Sequence, residues 1–250
     1  MAGHSHWAKV KRSKGVADAR RGKLFSRLSK EITVATRMGG GDPNFNPRLR
    51  QAIATARGES MPVDNIERAV KKGTGELEGE AYEELIYEGY APGGVAVLVE
   101  TTTDNKNRTA ADVRAIFSKG HGNMGGAGSV SWMFHRKGLL LIEKDKSTED
   151  AVLEATLDAG AEDVKVSEEG GIEVLTPPDK LYAVSEALKT AGIPTAVSKF
   201  TYVAENQTPV TDVSIAEQVL RLYETLDDHD DVQNVYANFD IPPEILAKLS

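Results

Sequence analysis

Apolar positions between residues 18 and 38 recur at helical spacing: Leu24, Leu28, Ile32 and Ala35 follow one another at steps of four, four and three. That stripe predicts an amphipathic helix. Arg20, Lys23, Arg27, Lys30 and Arg37 recur at steps of three, four, three and seven, which at about 100° per residue sets them on a separate, roughly opposite stripe. Gly39-Gly40-Gly41-Asp42-Pro43 ends the pattern. A second helix is predicted over 47–57 through Leu49 and Ile53, with proline at its start. A third is predicted over 63–72 through Ile66 and Val70, closing on Lys71 and Lys72 with Gly73 as its stop. Residues 1–16 are polar and basic without an apolar period and read as a flexible arm, and 73–79 read as a linker.

From residue 82 the pattern turns to strands. Segments 82–90 and 95–102 flank Ala91-Pro92-Gly93-Gly94, a hairpin signal. A helix is predicted over 108–119, with Thr109 and Asp112 in capping-box spacing, and a strand over 129–135 after a glycine-rich loop. Segments 139–143, 148–159, 163–167, 172–175, 180–191 and 195–202 then read as β, α, β, β, α, β, the ferredoxin-like order, with Ser147 as cap of the first helix. The tail adds a helix over 214–226, with Ser214 and Glu217 as capping box, and a strand over 232–239. A lone helix and strand cannot close a core, so they are expected to complete the sheet begun at Tyr82. The expected class is α+β in three domains: a basic helical one over 1–78, a discontinuous one over 79–138 plus 206–250, and an insert over 139–205.

Charge changes this picture more than composition does. The first 72 residues hold 16 Lys and Arg against 6 Asp and Glu, and the other 178 hold 14 against 32, so a net of +10 precedes a net of −18. A basic face attracts phosphate backbones by counterion release, and an acidic body confines that contact to one end of the molecule. The alternative is a basic cap that docks on the acidic remainder of its own chain. Ordinary soluble composition, no signal-like start and no apolar run near the roughly 20 residues of a membrane span point to a cytoplasmic protein.

Catalytic chemistry is hard to assemble from these residues. There is no cysteine, which removes disulfides, thiolate metal sites and cysteine nucleophiles. Gly120-His121-Gly122-Asn123-Met124-Gly125 satisfies G-x-G-x-x-G but follows a predicted helix and precedes a strand, the wrong context for a dinucleotide, and reads as a flexible loop. His4 and His6 form a loose pair, and His121, His135 and His229 are isolated in sequence. Residues 227–231, Asp-Asp-His-Asp-Asp, read as a solvated loop at a helix end. The expectation is a protein that is not an enzyme, with no cofactor and no metal.

Six segments carry a resemblance. Residues 1–9 (MAGHSHWAK), 20–25 (RRGKLF), 61–73 (MPVDNIERAVKKG), 87–96 (YEGYAPGGVA), 103–109 (TDNKNRT) and 128–134 (GSVSWMF) resemble the YebC/PmpR family, in order and across essentially the whole chain. The resemblance implies a helical basic domain and two α/β-sandwich domains, one inserted in the other. It implies either a transcriptional regulator on promoter DNA or a translation factor, as in a mitochondrial activator of cytochrome oxidase subunit synthesis and bacterial members that relieve ribosomes stalled at proline-rich stretches. The expected partner is DNA, or the ribosome through its RNA, with no membrane, and the chain is expected to be a monomer or a weak oligomer. The residues expected to bind nucleic acid are Lys9, Lys11, Arg12 and Lys14 on the arm, Arg20, Arg21, Lys23, Arg27, Lys30 and Arg37 on the first helix, and Arg68, Lys71 and Lys72 on the third. Asn65, Glu67 and Arg68 could read bases, or Asn65 and Glu67 could pair locally at their helix start. Trp7 could stack on an unpaired base or anchor the arm in a core. A protein-interaction module carrying an intramolecular basic cap is the third reading.

Overall fold

A computed structural model of the chain describes residues 17–79, 81–167 and 170–249, with the backbone alone for 17–20. The predicted first stripe is helix α1, Ala17–Gly39, which buries Leu28, Ile32 and Ala35 against α2, Pro47–Gly58, and α3, Val63–Thr74. The turn between α1 and α2 is built on one buried amide. Asn46 caps α2 by accepting the N–H of Leu49 (3.1 Å) and donates to the carbonyls of Ala35 and Gly40 (both 2.8 Å).

Gly73 does not stop α3. The helix runs through it to Thr74 and is capped by Gly75 at φ 84°. Gly73 is where α3 meets α1: a Cβ there would lie 2.5 Å from the Cβ of Thr36 and 2.7 Å from the carbonyl oxygen of Thr33. Thr33 Oγ1 also bonds the Ala69 carbonyl at 3.2 Å, so the two backbones are drawn together by polar as well as apolar contact. Gly73→Ala is therefore expected to destabilise by about 1–2 kcal/mol, crowding outweighing the better helix propensity of alanine. Gly58→Ala has open space and should be neutral or slightly stabilising in the same urea titration.

Two antiparallel sheets follow. In the first, β1 (Glu83–Tyr90) and β2 (Ala96–Thr103) form the expected hairpin, and α4 (Lys106–Lys119) leads to a two-residue strand β3 (Asn123–Met124) that pairs with β1. In the second, β4 is one strand, Phe134–Ile142, where the sequence suggested two, 129–135 and 139–143. Gly138 sits mid-strand because a Cβ would fall 2.5 Å from Thr176 Oγ1 and 2.9 Å from Leu181, so the glycine marks close helix packing, not a break. With α5 (Glu149–Thr156), β5 (Asp163–Val166), β6 (Ile172–Thr176), α6 (Leu181–Thr190) and β7 (Val197–Ala204), the strand order is β5-β6-β4-β7, the ferredoxin-like arrangement around Leu140, Ile142, Val174, Leu181, Val184 and Leu188.

The chain then returns. After β8 (Thr208–Pro209), α7 (Val213–Asp227) packs beside α4, and β9 (Val232–Ala237) pairs with β2 to give the order β3-β1-β2-β9. A two-residue β10 (Phe239–Asp240), parallel to β8, and α8 (Pro243–Leu246) complete it. Among the described residues, those between 133 and 205 form one compact unit, and those of 17–132 with those of 206–249 form the other. No helix among the described residues is long and apolar enough to cross a membrane.

Candidate nucleic-acid interface

The middle of the basic stripe of α1, Lys23, Arg27 and Lys30, is not an exposed ridge. Lys23 donates to the Asp228 carbonyl and lies 3.7 Å from its carboxylate, and Arg27 donates to the Asp227 carbonyl and reaches its carboxylate at 3.3 Å. Lys30 Nζ lies 2.9 Å from Asp231 Oδ1 and from the Asp230 carbonyl, 3.2 Å from the Thr102 carbonyl, and 5.7 Å from the centre of the Tyr82 ring. Side-chain exposure falls along the stripe from 32% to 20% to 12%. Residues 227–231, expected to be a solvated loop, instead receive these three cations at the C-terminal end of α7. Backbone carbonyls that the cations bond and the negative end of a helix dipole add there to the carboxylates.

Asp231 is the centre of this contact. It is 5% exposed and accepts from Arg108 Nη2 (2.8 Å), Thr109 Oγ1 (2.7 Å) and Thr103 Oγ1 (3.3 Å) as well as Lys30. Burial alone would raise its pKa, but the hydrogen bonds from Arg108, Lys30 and Thr109 outweigh it and hold the carboxyl well below the usual carboxylate range. The Arg108 guanidinium is pushed up in turn by Asp231 and Asp104. His229, isolated in sequence, accepts the Asp231 N–H on Nδ1 (3.1 Å) and stands 3.4 Å from Asp112 through Nε2.

A second buried carboxylate organises the glycine-rich loop. Glu88 of β1 accepts the N–H groups of Gly128 (2.8 Å), Val130 (2.7 Å) and Ser131 (2.7 Å), which outweigh burial and hold its pKa below the ordinary value. The loop was expected to be flexible. It is instead pinned by this carboxylate, by Gly125 N–H on the Glu88 carbonyl (2.8 Å) and by β3. An internal anion occupies the N–H groups with which such a loop would cradle a phosphate. It also explains why 129–133 is not strand, since those N–H groups point at Glu88.

Both carboxylates lose protons more readily folded than unfolded, so they contribute stability that is present above the unfolded values near 4 and is lost as pH falls through the lower folded values. The melting temperature is expected to hold from about pH 7 to 5 and to drop below about pH 4. A flat profile down to pH 3 would contradict the shifts.

The other candidate residues divide. Arg21, Arg37, Arg68 and Lys71 are exposed, and Lys72 is half-buried with its side chain against Gly79. Lys9, Lys11, Arg12, Lys14 and Trp7, and the side chain of Arg20, lie outside the described residues. Of the proposed base readers, Asn65 is half-buried and Glu67 exposed, and α3 has no side-chain cap at its start.

Sequence reasoning found α2 but passed over its cations. Its twelve residues hold Arg48, Arg50 and Arg57 and no acidic residue. Arg48 is structural: it bonds Glu31 (2.8 and 2.9 Å) and Glu84 (2.6 and 3.1 Å), tying α1, α2 and β1. Arg50 and Arg57, two turns apart on one face, are exposed, and Phe45 just before the helix is 85% exposed. The absence of acid on a three-arginine helix was the available signal. Among the described residues, no group of three or more His, Asp or Glu side chains is placed to hold a metal ion.

Comparison with known proteins supplies the context. Residues 5–76 match the family description "TACO1/YebC protein N-terminal domain", and 82–239 match "TACO1/YebC second and third domain". The chain is 56% identical over 250 residues to the "Probable transcriptional regulatory protein" of Desulfotalea psychrophila, covering 100% of both. It is 56% identical over 249 residues to a protein of the same description from Geobacter sulfurreducens, again covering 100% of both. A crystal structure of a conserved hypothetical protein from Aquifex aeolicus matches with a TM-score of 0.87 and 50% identity over 96% of this chain and 99% of that one.

Proposed function

The chain belongs to the TACO1/YebC family, and from that premise we propose that it is a non-enzymatic regulator of gene expression that binds nucleic acid through its helical bundle. The observation that carries this reading is the division of cations. Lys23, Arg27 and Lys30 are consumed by the acidic loop, while Arg50, Arg57, Arg68 and Lys71 stand exposed on α2 and α3. An acidic body behind a basic bundle orients a polyanion toward that bundle. Promoter DNA is the leading partner, since relatives 56% identical over their full length are described as probable transcriptional regulatory proteins. Ribosomal or messenger RNA is the second reading, favoured by the exposed aromatic ring of Phe45.

The test is the salt dependence of binding. Replacing Arg50, Arg57, Arg68 and Lys71 one at a time by Gln should shrink the slope of log K against log salt by about 0.9 per contact on duplex DNA, or about 0.7 on a single strand. Lys23→Gln and Arg27→Gln should lower the melting temperature and leave the slope unchanged. If all six variants keep the parent slope on both polyanions, the bundle is not the binding surface. A parent protein with no slope at all removes the nucleic-acid reading.

A further inference from the structure

We propose that the turn between α1 and α2 is a stacking site for an unpaired nucleobase, with the ring of Phe45 as platform and the Arg50 guanidinium beside it for the neighbouring phosphate. The proposal rests on the nucleic-acid reading above and narrows it to strands that offer a free base face.

Phe45 has no part in the bundle core, which closes around Ile32, Leu49, Ala56 and Ile66 without it. Single exposed apolar residues are commonplace on protein surfaces. This one differs in how its backbone is held. Asp42 accepts the N–H groups of Phe45 (3.2 Å) and Asn46 (3.0 Å) on its carbonyl and that of Asn44 (2.8 Å) on its carboxylate. Asn46, the next residue, is buried in the cap described above, so close to Gly39 that a Cβ there would lie 2.7 Å from its amide. The turn's backbone is braced from both sides, so contact there orders little beyond the two χ angles of the ring.

The turn carries one carboxylate, Asp42, turned back onto the Asn44 N–H, and one guanidinium at the ring, that of Arg50. Arg50 Nη1 donates to the carbonyls of Pro43 (3.3 Å) and Asn44 (3.5 Å), which puts a guanidinium at the peptide leading into Phe45. Arg57 continues the face about 10 Å further along α2, at the rise of an α-helix. Aromatic rings that stack on bases beside cations that track the backbone make the general recipe for single-stranded nucleic acid. In a closed duplex the base faces are already stacked on one another, so the ring has no surface to meet.

The experiment uses the full chain with two labelled RNA probes of one sequence, one single-stranded and one fully paired. Phe45→Ala is expected to weaken single-strand binding about tenfold, to leave duplex binding and the salt slope unchanged, and to melt as the parent does. Phe45→Tyr should restore the affinity. Arg50→Gln should weaken both probes and lower the slope. If Phe45→Ala weakens both probes equally, the ring acts as a wedge or a packing group and the stacking proposal is overturned. If Phe45→Ala changes neither while Arg50→Gln weakens both, stacking is again overturned and the phosphate-binding reading stands; that result would direct Phe45 toward a protein partner. If none of these variants changes binding, the stacking proposal is overturned; the reading beneath it falls only if Arg57→Gln, Arg68→Gln and Lys71→Gln leave the salt slope unchanged as well.

Discussion

Asp231→Asn is expected to lower the unfolding free energy by about 3–5 kcal/mol, the usual cost of removing one partner from a buried ion pair. Asparagine keeps the shape but removes the charge that four donors share. Its amide can turn only one oxygen toward Lys30, Arg108 and Thr109, and its NH₂ group would face a donor. Lys30, 12% exposed, would be left with carbonyl partners alone. Urea unfolding measures the loss, and Lys30→Met in the Asp231→Asn background should recover part of it by removing the stranded ammonium. A loss under about 1 kcal/mol, with no recovery in the double variant, would mean the cluster is accessory to bundle docking.

Glu88→Gln is expected to cost about 2–3 kcal/mol and to release the segment 122–131. Three backbone N–H groups converge on the carboxylate, and hydrogen bonds to a charged acceptor are worth roughly twice neutral ones. A glutamine oxygen can serve one or two of them, while its NH₂ group opposes the rest. Amide exchange at Gly128, Val130 and Ser131 should accelerate more than exchange in β2. Uniform acceleration through the whole sheet would indicate global destabilisation and no special hold on the loop.

The helices were legible because burial imposes a period: Leu28, Ile32 and Ala35 had to share a face wherever α1 lay. Helix starts were less so. Asn105, Thr148 and Asp212 are the caps, where sequence pointed to Thr109, Ser147 and Ser214. Polar residues cluster at helix starts, and only the backbone direction selects which side chain reaches a free N–H. Glycines misled in a regular way. Gly73 reads as a stop and Gly138 falls between two predicted strands, yet each lies inside an element, at a place where a neighbouring element comes too close for a Cβ. The basic stripe shows the limit of pattern reading. Spacing revealed that Lys23, Arg27 and Lys30 share a face, but the residues opposite that face are about 200 positions away and leave no local trace. Arg50 and Arg57 escaped notice because they interrupt no period and sit on a helix read only for its apolar side.

The contact between α1 and residues 227–231 also orders events in time. At about 5–20 residues per second, synthesis reaches Asp231 roughly 10–40 s after Lys30 has been made. The bundle needs only residues up to Thr74 for its own core, so it can fold early, with Lys23, Arg27 and Lys30 still bare. β2 waits about two-thirds as long for β9. Throughout that interval the nascent protein carries these three cations of α1 uncovered beside a surface made largely of RNA, and the late arrival of five residues, four of them aspartates, is what withdraws them.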